Sequence, residues 1–147
     1  MEPRVIYEDE SFFVVDKPTG WITNDSDTVT NQPVLQKWIR ENFQYHLNGN
    51  KEMRDGIVHR LDKETSGIVL VAKTQQSFER LQSEFKNREV HKTYIALLHG
   101  KIDPEEGTIE VTVGRLPWRR DRFGVVPDGR SSLSNYKLQK FYPANNG

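Results

Sequence analysis

The chain has 147 residues, no cysteine, and 21 basic against 21 acidic side chains, so its formal net charge is zero. The lack of cysteine excludes disulfides, thiolate zinc sites and thiol nucleophiles, and 35% apolar with 29% charged residues describes a folded domain and not a disordered tail. No apolar run approaches the roughly 18–20 residues of a membrane span, and the first residues lack the basic start and apolar centre of a signal peptide, so a cytoplasmic protein is the expectation.

Val5 to Glu8 and Phe12 to Lys17 read as short strands joined by a tight Asp9-Glu10-Ser11 turn, with Lys17-Pro-Thr-Gly20 ending the pair. Ser26 to Gln32 is polar. Pro33 then opens a predicted helix whose Val34, Leu35, Trp38, Ile39 and Phe43 share an apolar face, and Asn48-Gly-Asn50 closes that region as a loop. Ile68 to Ala72 is apolar at every position, which predicts a strand covered on both faces in the middle of a sheet. Thr74 caps a second helix along which Phe78, Leu81 and Phe85 line one side through about Lys86.

Thr93 to Leu98 is a strand candidate, followed by a His99-Gly100 turn and the Asp103-to-Gly107 loop. In Thr108 to Val113 the residues Ile109, Val111 and Val113 alternate as on a half-buried strand. Pro117 to Arg130 reads as a loop or hairpin arm, and Ser134 to Phe141 as a final strand. Strands with two helices inserted predict an α+β domain on a mixed, largely antiparallel sheet. No repeat or linker divides the sequence, so residues 1–147 are expected to form one domain.

The most informative stretch is Gly56-Ile-Val-His-Arg-Leu-Asp-Lys-Glu-Thr-Ser-Gly67, which places Asp62 beside Arg60 on the turn leading into the apolar strand. A carboxylate next to a guanidinium stays ionised, and an ionised, positioned aspartate can attack an electrophilic carbon or remove a proton. Alternate residues of an extended chain share a face, so the pairing of Arg60 with Asp62 is geometrically reasonable. The plain alternative is an ion pair that only pins a turn to the sheet. His59 and Asp62 have an H-x-x-D spacing that could begin a metal site, but a strand histidine is the simpler reading.

Charge is unevenly spread. Arg115, Arg119, Arg120 and Arg122 fall within eight residues against one acid, Asp121, with Trp118 and Phe123 interleaved. Arginines supply forks for phosphate and aromatics supply stacking faces, a combination suited to single-stranded or looped RNA. The competing reading is a solvated arm whose Trp118 folds back on the core.

The run His59-Arg-Leu-Asp-Lys-Glu-Thr-Ser-Gly67, followed by Ile68-Val-Leu-Val-Ala-Lys73, closely resembles the signature of the RluA-type pseudouridine synthases. Ile6 to Gly20 is similar to that family's opening hairpin, Phe85 to Leu97 to the segment carrying its active-site tyrosine, and Gly114-Arg-Leu-Pro117 to the stretch that follows. The resemblance implies a cofactor-free and metal-free isomerisation of uridine within ribosomal or transfer RNA. It matches Asp62 to the catalytic aspartate and Tyr94 to the tyrosine that lies against the base. Arg60 would fill the gap left by the flipped nucleotide, and Arg115, Arg119, Arg120 and Arg122 would contact RNA.

A further family motif, Gly-Arg-Thr-His-Gln-Ile-Arg, has no counterpart between Tyr136 and Gly147. The expectation is therefore the N-terminal part of a pseudouridine synthase catalytic domain. Two competing readings are a non-catalytic RNA-binding fragment and a metal-dependent hydrolase or phosphotransfer site built on His59, Arg60 and Asp62.

Overall fold

Asp9 makes the first turn. Its Oδ1 accepts the Ser11 and Phe12 N–H groups at 2.7 and 2.9 Å, and its own N–H closes onto the Phe12 carbonyl at 3.0 Å. The Phe12 and Ser11 donors hold the Asp9 carboxyl below its usual range. The turn joins β1 (Arg4–Glu8) to β2 (Phe12–Lys17) as an antiparallel pair. The computed structural model describes residues 1–26 and 31–143, apart from the side chains of Arg120 and Asp121. The polar Ser26-to-Gln32 stretch thus lies partly outside the described residues, as does the chain from 144 onward.

Two compact units are formed, Met1–Thr93 and Tyr94–Gly147. In the first, β2 pairs antiparallel with β3 (Gly67–Ala72), so that Phe13 faces Val71 and Val15 faces Val69 across the ladder. These four residues point to one side and pack with Leu35 and Ile39 of α1 (Leu35–Asn42) and with Ile57 and Leu61. Each such fully buried side chain contributes about 1.5–3 kcal/mol. On the other side Leu70 and Ala72 meet Val58, Leu47 and the Phe78, Leu81 and Phe85 stripe of α2 (Gln75–Lys86).

β3 is covered on both faces from Val69 to Ala72, but Ile68 is 48% exposed and the strand is not central. Among the described residues it ends the sheet order β1-β2-β3, with only the Ile57–Val71 bridge on its far side. A helix on one face and a core on the other satisfy an all-apolar strand without a strand on each edge.

α2 starts where the sequence predicts, with Thr74 and Ser77 exchanging side-chain and backbone hydrogen bonds in a capping box. Ser77 Oγ also donates to the Ser11 carbonyl at 2.7 Å, which ties the helix start to the first turn. α1 starts later than expected. Pro33 and Val34 are drawn into a bridge with Ile22, and the Leu35 and Gln36 N–H groups donate to the Ile22 and Thr23 carbonyls at 2.8 and 3.1 Å. Backbone acceptors therefore replace a side-chain cap.

The second unit is a three-stranded antiparallel sheet in the order β5-β4-β6, made of β4 (Glu106–Leu116), β5 (Arg119–Val125) and β6 (Arg130–Lys137). Ile109, Val111 and Val113 share a face as predicted. The strand expected at Thr93 to Leu98 does not form among the described residues, and Ile95 and Leu97 are 95% and 90% exposed. Alternating apolar residues become a strand only when a neighbour takes their N–H and C=O groups, and no described strand does so here.

Candidate active site

The loop carrying Asp62 is gripped by its backbone. Thr23 Oγ1 donates to the Leu61 carbonyl at 2.6 Å and accepts the Leu61 N–H at 3.2 Å. The Gly20 N–H donates to the Lys63 carbonyl at 2.8 Å, and Thr19 Oγ1 to the Glu64 carbonyl at 2.9 Å. Lys17, fully buried at the end of β2, sends its ammonium to the Trp21 and Pro18 carbonyls at 2.8 and 3.1 Å and, more weakly, to Lys63 at 3.4 Å. Burial pushes that ammonium down from its ordinary pKa, against the opposing pull of Glu64 and Asp62.

Residues 61, 63 and 64 are thus all held from the Lys17-to-Thr23 segment, while Asp62 stands between them with its side chain 88% exposed. Arg60 Nη2 lies 3.8 Å from Asp62 Oδ1 and is itself largely exposed. An open pair of this kind contributes about 0–1 kcal/mol to stability. The arrangement fixes where the carboxylate stands without burying it.

The segment leading to Asp62 has its own anchor. Arg54 and Asp55 both take φ of 50°, and Gly56 takes 83°, a left-handed run that costs about 1–3 kcal/mol for each non-glycine residue. The Asp55 carboxylate, wholly buried, offsets that cost through several bonds. Oδ1 accepts the Gly49 N–H at 2.6 Å, and Oδ2 accepts Gln36 Nε2 at 2.7 Å and Arg40 Nη2 at 2.8 Å. Tyr45 donates to the Asp55 carbonyl. Burial pushes the Asp55 carboxyl up, but the Arg40 and Gln36 donors and the Gly49 N–H outweigh it and leave it below the usual range. Neither Lys17, Thr23 nor Asp55 was singled out from sequence. Their only signal is a charged or hydroxyl residue at the edge of an apolar run.

His59 is a strand-side histidine. Its Nε2 accepts the Leu70 N–H at 3.1 Å and its ring stacks on Phe85 with centroids 4.5 Å apart. Burial, aided by the charge of Lys92, pushes its pKa down, and a hydrogen bond with the Arg60 backbone works the other way. A protonated imidazole could no longer accept from Leu70. In the unfolded chain His59 takes up a proton near pH 6.5, whereas the folded chain resists it. His59 therefore contributes stability that is present above that pH and is lost as pH falls below it. The melting temperature should drop between pH 7.5 and 5, and His59→Gln should flatten that drop relative to the native chain. Among the described residues no three His, Asp or Glu side chains converge as a metal cage would need.

The other sequence-predicted residues lie in the second unit. Tyr94 opens it and is 61% exposed. Arg115, Arg119 and Arg122 are exposed on the β4–β5 hairpin, with the Arg115 guanidinium 5.0 Å from the centre of the Phe123 ring. The Arg120 side chain lies outside the described residues. Trp118 does not fold back: it is 78% exposed.

The family model for RNA pseudouridylate synthase matches residues 11–144. The chain belongs to the RluA-type pseudouridine synthase family. It is 34% identical over 143 residues to an uncharacterized RNA pseudouridine synthase of Aquifex aeolicus, covering 95% of this chain and 44% of that protein. It is also 34% identical over 143 residues to ribosomal large subunit pseudouridine synthase D of Pseudomonas aeruginosa, covering 96% and 43%. The chain spans less than half the length of these curated relatives. Among solved structures it is similar to human RNA pseudouridylate synthase domain containing 1, with a TM-score of 0.67 and 26% identity over 90% of this chain and 50% of that one. For this pseudouridine synthase family member the α+β fold agrees with that neighbour. The residue resembling the family's catalytic aspartate is the one standing on the gripped loop.

Proposed function

We propose that the protein carrying this chain isomerises particular uridines of structured RNA to pseudouridine, with Asp62 as the catalytic carboxylate. The observation that carries this reading is a solvent-facing Asp62 whose neighbours on both sides are tied down by main-chain hydrogen bonds. Preorganisation of that kind lets a charged group meet a reacting atom without first paying to be ordered. Asp62 supplies the negative oxygen that either adds to the ribose C1′ or takes a ribose proton. The C1′–N1 bond breaks, the base turns and C1′ bonds to C5; the C5 proton leaves to solvent and N1 takes up a proton in its place. Atoms are conserved, so the step is an isomerisation and calls for no oxidant.

Arg60 keeps Asp62 in a positive field and occupies the space vacated by the extruded nucleotide. Tyr94 lies against the base, its hydroxyl assisting removal of the C5 proton. Arg115, Arg119, Arg120 and Arg122 hold phosphates, and base extrusion from the stack is what their grip makes possible. Ribosomal RNA is the first substrate to test, since the Pseudomonas aeruginosa relative is named for the large ribosomal subunit; transfer RNA is the second. The cytoplasm is the proposed location, and no helix among the described residues is long and apolar enough to cross a membrane.

The test is tritium release. The full-length protein, given RNA labelled at uridine C5 and extracted from cells lacking its gene, should release tritium to water in step with pseudouridine formation. RNA binding without release, with the whole gene product present, would leave only an RNA-binding role.

A further inference from the structure

We propose that Trp118 is a nucleobase-stacking residue that selects RNA with an unpaired base beside the phosphates gripped by the arginine hairpin. The inference rests on the RNA reading above and names a contact that the reading does not contain. β4 ends at Leu116 and β5 begins at Arg119, so Pro117 and Trp118 form the turn. Turns this tight favour glycine, asparagine or aspartate. An indole 78% exposed there satisfies no demand of the turn and meets no core.

Its neighbour Leu116 behaves differently. The Leu116 side chain lies over Gly124, so close that a methyl group on Gly124 would come within 2.7 Å of it. The hairpin therefore has an apolar residue that covers the sheet, and Trp118 is not that residue.

The charge around Trp118 identifies its partner. Arg115 pairs with Phe123 and Leu116 with Arg119, so the register of the hairpin shifts between Arg115 and Leu116. Such a shift breaks the pleat and re-aims side chains. It places Arg122 and Arg119, both exposed, on the same short hairpin as the indole, in a chain of zero net charge. Phe123, 64% exposed, has the Arg115 guanidinium 5.0 Å from its ring centre, and the Trp118 indole is 78% exposed. An exposed π-face on a hairpin that also carries exposed arginines suits a base whose own phosphates are nearby. Bases inside a duplex are already stacked, so only an unpaired base can use it.

The experiment compares the full-length wild type with Trp118→Ala, Trp118→Phe and the double variant Arg119→Gln/Arg122→Gln. The probes are a single-stranded oligouridylate and a fully paired RNA duplex of equal length, and thermal melting checks that each variant is folded. The wild type should show quenched tryptophan fluorescence on the single strand. Trp118→Ala should lose that quench and about tenfold in affinity for the single strand, with little change on the duplex and an unchanged salt slope. Trp118→Phe should keep most of the affinity. The double arginine variant should weaken binding to both probes and flatten the salt slope. Equal binding of the single strand by wild type and Trp118→Ala, or an equal loss on both probes, overturns the stacking role while leaving RNA binding intact. A wild type that binds neither probe overturns the stacking role and the grip of the hairpin on phosphates, whereas the isomerase reading is decided by tritium release.

Discussion

Replacing Asp62 by alanine in the full-length protein should abolish isomerisation, with tritium release falling by at least about 10³-fold, while RNA affinity and the melting temperature barely move. The side chain is 88% exposed and its ion pair to Arg60, at 3.8 Å, is open to water. Its removal therefore costs about 1 kcal/mol or less of folding free energy. The hydrogen bonds that hold the loop end on Leu61, Lys63 and Glu64 main-chain atoms and survive the substitution. Loss of turnover in a folded, RNA-binding variant would thus report chemistry alone. Asp62→Asn keeps the size and removes the charge, so it should be equally inactive. Turnover within tenfold of wild type in either variant would remove Asp62 from the mechanism.

The largest stability effect is expected at Gly56. A methyl group there would sit 2.1 Å from the Ala72 carbonyl oxygen, and the backbone has φ of +83°. The oxygen belongs to the end of β3 and has no flexible side chain to yield. Gly56→Ala should cost about 3 kcal/mol or more, combining a left-handed alanine with overpacking against a strand. Gly49 is the internal control, since it has φ of +82° and no atom within 4 Å of an added methyl group. Gly49→Ala should cost only about 1 kcal/mol. Urea midpoints measured on the two variants separate backbone conformation from steric conflict, and equal midpoints would mean that the close approach to Ala72 is not rigid.

Local signals were legible where the chain supplies its own partner. Thr74 and the Phe78, Leu81 and Phe85 spacing located α2, because cap and stripe lie within the element. Signals failed where a distant segment decides. α1 begins at Leu35 instead of Pro33 because Ile22 recruits Val34. β5 reads as loop or arm because two prolines and two glycines fall within Pro117 to Arg130, whereas pairing with β4, across a register shift, makes it a strand. β6 spans Arg130–Lys137 in place of Ser134 to Phe141, since its limits follow the ladder from Val113 to Glu106 and not its own polar composition.

The same division holds for the site. Arg60 and Asp62 are close in sequence and close in space, so the motif exposed them. The Asp55 anchor draws on Gln36, Arg40 and Gly49, and the grip on the loop draws on Lys17, Thr19, Gly20 and Thr23. Such groupings exist only after folding, and neither periodicity nor charge pattern announces them.

A loop fastened by carbonyl and amide groups is indifferent to the side chains it displays. Positions 63 and 64 can be exchanged for other residues while the Asp62 carboxylate, between the anchors of residues 61 and 63, keeps its address. If Asp62 is the reacting group proposed above, evolution or an engineer could alter the surface around it without moving it.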